Sequence, residues 1–109
     1  MTKKTVNKNS VNPIEMLPGI YRKTLVYNNN VMLCYFSLNK NSRVPLHSHS
    51  EHQIGYVITG KLQFETVKGK YSVEAGDSYI FESNEKHGAI ILEDSEVIDF
   101  FSPARDDYK

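Results

Sequence analysis

The feature that most constrains this chain is a succession of short runs in which apolar and polar residues alternate, each closed by a cluster of turn formers. From Ile20 onward they read IYRKTLVY (20–27), VMLCYFSL (31–38), HQIGYVIT (52–59), KLQFETV (61–67), KYSV (70–73), SYIF (78–81), HGAIIL (87–92) and EVIDFF (96–101). Between them stand NNN (28–30), NKNS (39–42), TG (59–60), KG (68–69), EAGD (74–77), SNEK (83–86) and EDS (93–95). Side chains of an extended chain point to opposite faces in turn, so a period of two describes strands buried on one side. Short strands separated by polar turns at this spacing predict an all-β sandwich or barrel. No stretch of helical period competes, although NPIEML (12–17) has room for one helical turn, and there is no internal repeat.

The first dozen residues are rich in Asn, Lys, Ser and Thr and show no periodicity. That composition predicts a flexible arm over 1–13 unless a partner subunit orders it, with the folded domain over 14–109. A chain of 109 residues is the size of one domain with one core, so one site is expected. Its 13 Lys+Arg balance 13 Asp+Glu, which removes the electrostatic reason to expect nucleic acid or an anionic membrane as partner. A small-molecule ligand is the better expectation. The start MTKKTVNKNSVN is not followed by the apolar stretch of a secretory signal, and no apolar run approaches about 18 residues, so the expected location is cytoplasmic. The single cysteine, Cys34, has no internal disulfide partner and shares a strand face with Met32, Phe36 and Leu38, which reads as a buried packing thiol.

The chemistry-bearing residues gather in PLHSHSEHQIGYVITG (45–60). In a strand His47 and His49 would project from one face, with roughly 6–7 Å of backbone rise between them, a spacing that suits two ligands on one cation. Gln53 can face the same interior if the chain bends once around Ser50 and Glu51. His87 opens another strand, and a barrel could bring it opposite. Three imidazoles and one amide oxygen make a divalent-metal shell that leaves positions open for substrate or water. Taken singly each has an ordinary reading: a solvated His-x-His edge, a polar strand residue, a turn histidine. His52, of opposite parity, reads as a surface or hydrogen-bonded histidine.

Together these residues resemble the cupin superfamily. His47-Ser48-His49 with Gln53 and Gly60 is similar to its first motif, two histidines and a Glu or Gln ligand before a turn glycine. Gly76-Asp77 through Asn84 to His87 is similar to its second, which supplies the last histidine. The proline common before that histidine is replaced here by Ser83 and its neighbours. The fold this implies is a small single-domain jelly-roll β-barrel with one metal inside, held by His47, His49, Gln53 and His87.

An amide at position 53 has a physical consequence. A ferrous site that activates oxygen typically carries two histidines and one carboxylate, which partly neutralises the metal. With no charged ligand the cation keeps its full formal charge towards the cavity, acts as a strong Lewis acid and attracts anionic oxygen ligands. In EVIDFFSPARDDY, Asp99 lies on one face between Val97 and Phe101. A carboxylate so flanked is costly to bury without a partner or a job, so Asp99 is a candidate general acid/base of raised pKa. Arg105, past Pro103, could fold back as a bidentate clamp for a substrate carboxylate. The alternative is that Asp99 pairs with a lysine at a strand edge and Arg105 faces solvent.

The resemblance extends to the KdgF family. RKTLVYNNNVML (22–33), HSHSEHQIGYVITG (47–60), AGDSYIFESNEKHGAI (75–90) and DFFSPARDDY (99–108) carry it across most of the chain. It implies three histidines and a glutamine on the metal, with an aspartate, a phenylalanine and an arginine falling on Asp99, Phe101 and Arg105 as catalytic residues. The activity implied is conversion of 4,5-unsaturated monouronates, released from pectin or alginate, to linear 4-deoxy-5-ketouronates by ring opening and ketonisation. The expected cofactor is a divalent metal, with Ni, Zn, Fe, Mn and Co all open, and the expected partner a small anionic sugar acid of either origin. Other readings are another metal-dependent cupin, such as an oxygenase or sugar isomerase, a non-catalytic sugar-acid-binding cupin, or a metal-free site with structural histidines. Ile54, Tyr56 and Ile58, opposite in parity to Gln53, are expected to pack against a second sheet or a partner. A twofold homodimer is expected, partly from the resemblance.

Overall fold

Strands form where the sequence alternates, and burial alternates with them. The computed structural model describes residues 3–109. In chain order the strands are β1 (Ile14–Leu17), β2 (Ile20–Tyr27), β3 (Met32–Leu38), β4 (Arg43–His47), β5 (His52–Thr59), β6 (Lys61–Thr66), β7 (Gly69–Glu74), β8 (Ser78–Phe81), β9 (His87–Ile91) and β10 (Ser95–Ser102). A six-stranded sheet runs β1-β2-β3-β10-β5-β8 and a four-stranded sheet β4-β9-β6-β7, with antiparallel pairing throughout. The two sheets enclose the apolar core between them, the jelly-roll architecture expected of the sequence.

Two elements differ from the sequence reading. NPIEML makes no helical turn: Ile14 and Glu15 pair with Arg22 and Tyr21 as β1, because a sheet edge satisfies backbone groups that a lone turn would leave to water. β4 falls outside the alternating runs, since Pro45 sits in its middle. Proline lacks an N–H, and β4 tolerates it as the edge strand of its sheet.

Along β10 every second residue is buried, from Ser95 through Val97 and Asp99 to Phe101. Phe101, Met32, Leu62, Ile91, Val57 and Cys34 are all less than 2 % exposed, and each large apolar side chain among them contributes about 1.5–3 kcal/mol by leaving water. Cys34 packs as a buried thiol, and burial pushes its pKa up to about 11. On β5 the interior face carries Gln53, Gly55 and Val57, while Ile54, Tyr56 and Ile58 are 48 %, 50 % and 38 % exposed. That row therefore does not pack against the second sheet.

Register sets where chemistry sits. Met32, Phe101, Gln53 and Phe81 form one cross-strand row of the six-stranded sheet, and His47 pairs with His87 in the other sheet. After Phe101 the chain turns through a cis Ser102–Pro103 peptide to a 3-10 helix, Asp106–Tyr108. The Thr24 hydroxyl donates to the Tyr108 carbonyl at 2.7 Å, and the buried Arg22 guanidinium lies 4.2 Å from the Tyr108 ring centroid. At the other terminus, Lys23 Nζ donates to the Lys8 carbonyl at 2.9 Å. Among the described residues no helix is long and apolar enough to cross a membrane.

Candidate active site

Three histidines meet at one end of the sandwich. His47 ends β4, His87 opens β9, and His49 lies in the loop between β4 and β5. His49 is thus not a strand neighbour of His47: the chain leaves the sheet after His47 and bends at Ser50 and Glu51, and the second imidazole joins the cluster from the loop. Their ring centroids are 4.4, 5.1 and 5.8 Å apart, and one ligand atom from each lies within 4.8 Å of the others. The His87 ring stacks on Phe81 at 4.1 Å and 5°, which fixes its plane.

The backbone selects the tautomer of all three. Nδ1 of His47, His49 and His87 stands 2.9, 2.9 and 2.8 Å from the carbonyl oxygens of Pro45, Glu51 and Glu85. A carbonyl only accepts, so each Nδ1 carries a proton, and in the neutral ring Nε2 is the nitrogen left with a lone pair. Burial pushes His87 down to about 4, with the charges of His47 and His49 acting in the same direction. Burial also lowers His49, helped by the Arg105 charge. Neutral imidazoles with free Nε2 atoms are the form that ligates a metal.

Gln53 completes the set from the opposite sheet. Its Nε2 donates to Asp99 Oδ2 at 3.1 Å, which directs Oε1 to within 3.0 Å of His49 Nε2. Two lone-pair-bearing atoms then face each other, an arrangement that a cation shared between them relieves. The residues therefore fit a divalent cation held by His47, His49, His87 and the amide oxygen of Gln53. Asp99 also gives a reason for glutamine at this position: an ionised carboxylate there would face Asp99 Oδ2 with an acceptor instead of a donor.

Asp99 is buried, and its partners are neutral donors, the Gln53 amide and the Tyr79 hydroxyl, rather than a lysine. Burial pushes its carboxyl up to about 7 against the pull of these two hydrogen bonds. Burial and the Asp99 charge hold the Tyr79 phenol well above its ordinary value, so it stays a donor. Tyr79 has the alternation of any buried strand residue, and nothing in SYIF marks it as a partner of Asp99; only the register of β5, β8 and β10 does.

Phe101 is 1 % exposed and sets its ring edge-on to His49 at 5.8 Å. Arg105 folds back over the mouth, its Cζ 3.9 Å from the Tyr108 ring centroid and 5.5 Å from that of Phe101. Its fork is engaged by Asp107, through Nε at 3.3 Å and Nη2 at 2.9 Å, so a carboxylate already stands where a substrate carboxylate would bind. His52 is exposed and accepts from the Ser83 N–H, outside the site as its parity predicts. A cavity of about 390 Å³ joins these groups: His47, Gln53, His87, Asp99 and Arg105 line its polar end, and core side chains its apolar depth. It is large enough for a single sugar ring, with the imidazoles of His47 and His87 on one sheet facing the amide and the buried carboxyl on the other.

Comparison with known proteins agrees with this geometry. The cupin domain family matches residues 34–101. The pectin degradation protein KdgF of Dickeya dadantii (strain 3937) is 34% identical over 96 residues, covering 86% of this chain and 87% of its own. The structure of KdgF from Halomonas sp. superposes with a TM-score of 0.88 at 33% identity, covering 96% of each chain. An RmlC-like cupin from Shewanella frigidimarina NCIMB 400 superposes with a TM-score of 0.92 at 25% identity, covering 98% of this chain and 96% of that one.

Proposed function

This chain belongs to the cupin domain family and, within it, to the KdgF family, and on that premise we propose that it is a metal-dependent enzyme of pectin or alginate breakdown. The reaction is isomerisation of 4,5-unsaturated monouronates to linear 4-deoxy-5-ketouronates. The observation that carries this reading is one cavity lined by the buried Asp99 carboxyl, by His47, His87 and Gln53, and by Arg105.

The substrate is a cyclic hemiacetal whose ring oxygen is also an enol-ether oxygen at C5. Asp99, whose carboxyl burial pushes upward, takes the proton of the anomeric hydroxyl as the C1–O5 bond breaks. The electron pair stays on O5 and gives an aldehyde at C1 and an enolate at C5. The same carboxyl then returns its proton to C4, leaving the ketone, so no water or redox partner is consumed. His47, His49, His87 and Gln53 would hold a divalent cation, which would supply Lewis-acid stabilisation to oxygen atoms that gain negative charge. Arg105 grips the substrate carboxylate, and Phe101 closes the cavity wall beside Asp99 and excludes water.

The test is incubation of the metal-loaded protein with unsaturated mono-galacturonate and mono-guluronate, following loss of the conjugated ultraviolet absorbance and the product by NMR. Product formation without oxygen uptake supports the reading. Saturable binding with no product would replace it with a sugar-acid-binding cupin, and oxygen uptake with an oxygenase.

The active unit in this proposal is a twofold homodimer. Ile80, Ile54, Phe100 and Leu33 are cross-strand neighbours over four strands on the outer face of the six-stranded sheet, with Tyr56 and Ile98 paired in the next row. Ile80 and Tyr56 are 60 % and 50 % exposed, an apolar surface that a second copy would cover.

A further inference from the structure

We propose that Tyr79 is a positioning residue of the reaction, aiming the Asp99 carboxyl at the substrate through a lane kept open by Gly55. This rests on the acid/base reading of Asp99. Asp99, Gly55 and Tyr79 stand on three neighbouring strands in one cross-strand row, Asp99 pairing with Gly55 and Gly55 with Tyr79. The strands on either side of β5 are separated by roughly 10 Å, two strand spacings, so Asp99 and Tyr79 meet only if their side chains lean across the strand between them. They do, and the Tyr79 hydroxyl donates to Asp99 Oδ1.

The intervening residue has to be glycine. A Cβ at position 55 would lie 2.1 Å from Tyr79 Cζ, 2.3 Å from its hydroxyl and 2.3 Å from Asp99 Oδ1. Gly55 has no unusual backbone requirement, and glycine weakens a strand interior, so its use here answers to the side chains passing over it. The ring of Tyr79 packs on Phe64 at 4.5 Å and Phe81 at 5.7 Å, contacts that phenylalanine would make equally well. Packing therefore accounts for the ring but not for the hydroxyl.

The need for that hydroxyl follows from the other donor. A carboxyl on a single partner can swing about its Cβ–Cγ bond. Gln53 holds Oδ2, but the same amide turns its oxygen to the three-histidine cage, so its position answers to the cage as well. Tyr79, anchored between Phe64 and Phe81, holds Oδ1 independently. With both oxygens held, the carboxyl plane is fixed beside the cavity, which Asp99 and Tyr79 both line.

The test is Tyr79→Phe, compared with wild type for kcat, KM, bound metal and thermal midpoint, together with a crystal structure of the variant. The expected result is a fall in kcat of roughly 10²-fold with KM and metal content unchanged, and an Asp99 carboxyl rotated from its native plane. A hydroxyl with a purely structural role would lower the thermal midpoint and leave kcat alone; that result overturns the proposal. Gly55→Ala, which wedges Tyr79 from Asp99, is expected to show the same loss of kcat, and full kcat in a folded Gly55→Ala protein counts against it. If Gly55→Ala does not fold, Tyr79→Phe decides. If wild type converts no unsaturated uronate, the functional reading fails, and the Asp99 carboxyl in the Tyr79→Phe crystal then decides the positioning role alone: unmoved, it ends the proposal.

Discussion

Gln53 donates through Nε2 to Asp99 Oδ2 at 3.1 Å while the oxygen of the same amide faces His49 Nε2 at 3.0 Å. One side chain thus joins the buried Asp99 carboxyl to the three-histidine cluster, with a donor towards Asp99 and an acceptor atom towards His49. The glutamine amide supplies both without changing its protonation state.

Gln53→Glu should therefore destabilise the metal-free protein at pH 7.5 by about 1–3 kcal/mol, the cost of two buried acceptors left facing each other. Adding Asp99→Asn restores a donor and should recover most of that loss. Urea unfolding of the two single variants and the double variant measures the coupling, and strictly additive losses would show that the two residues do not interact.

Asp99→Asn alone should abolish turnover and spare metal content, since the variant keeps the shape but not the proton. Turnover near the wild-type rate would remove Asp99 from the mechanism. Stability should respond to pH in a defined direction. The Asp99 carboxyl rises from 3.8 to about 7 on folding, so the native state holds a proton that the unfolded chain has released. Its contribution is complete below about 4 and is lost as pH rises to about 7. Measured without metal, the stability of Asp99→Asn relative to wild type should thus improve steadily between pH 4.5 and 7.5. A constant difference would place the native carboxyl near its ordinary pKa.

His87, held down to about 4 by burial, should bind Zn(II) or Ni(II) without first losing a proton at pH 7. Chelation should lower the thermal midpoint and readdition restore it; free metal at one hundred times its Kd stabilises by about 2.7 kcal/mol. His87→Ala should cancel this response, as calorimetric titration would show. An undiminished metal-induced shift in His87→Ala would exclude His87 as a ligand.

Arg105 meets a carboxylate in the resting protein, that of Asp107, whose side chain is 63% exposed. Asp107→Asn should lower KM for an unsaturated uronate several-fold by removing a competitor for the guanidinium, while Arg105→Lys should raise it about tenfold by losing the fork. A higher KM in Asp107→Asn would instead assign Asp107 to holding Arg105 in place.

Tyr56→Glu, on the exposed outer face of the six-stranded sheet, should turn a twofold dimer into a monomer in light scattering, with the thermal midpoint little changed. A wild-type protein already monomeric at micromolar concentration would end that proposal.

Much of this was legible in the sequence because alternation and ligand spacing are local properties. The runs from Ile20 to Phe101 marked most strands, and His47, His49, Gln53 and His87 were visible as a set because their spacing is itself a motif. Asp99 stood out as a carboxylate on an apolar face. β4 was hidden by Pro45, an edge position that only sheet order reveals, and β1 by a short run with no partner in view. Tyr79 and Gly55 were invisible for a deeper reason: their roles arise from the lateral register of three strands far apart in sequence. Arg105 is legible as a possible clamp, yet its engagement by Asp107 depends on how the last turn folds back.

His47 and His87 belong to the four-stranded sheet, His49 to a loop and Gln53 to the six-stranded sheet. The distances these four side chains could offer an ion are therefore set by the gap between two separate layers. Any gaping of the sandwich at this end pulls the fourth donor away from the other three, so the spacing of the layers there and the geometry offered to an ion are one mechanical quantity. Core substitutions at that end, even those touching no polar group, should be felt as changes in ion preference before they are felt as unfolding.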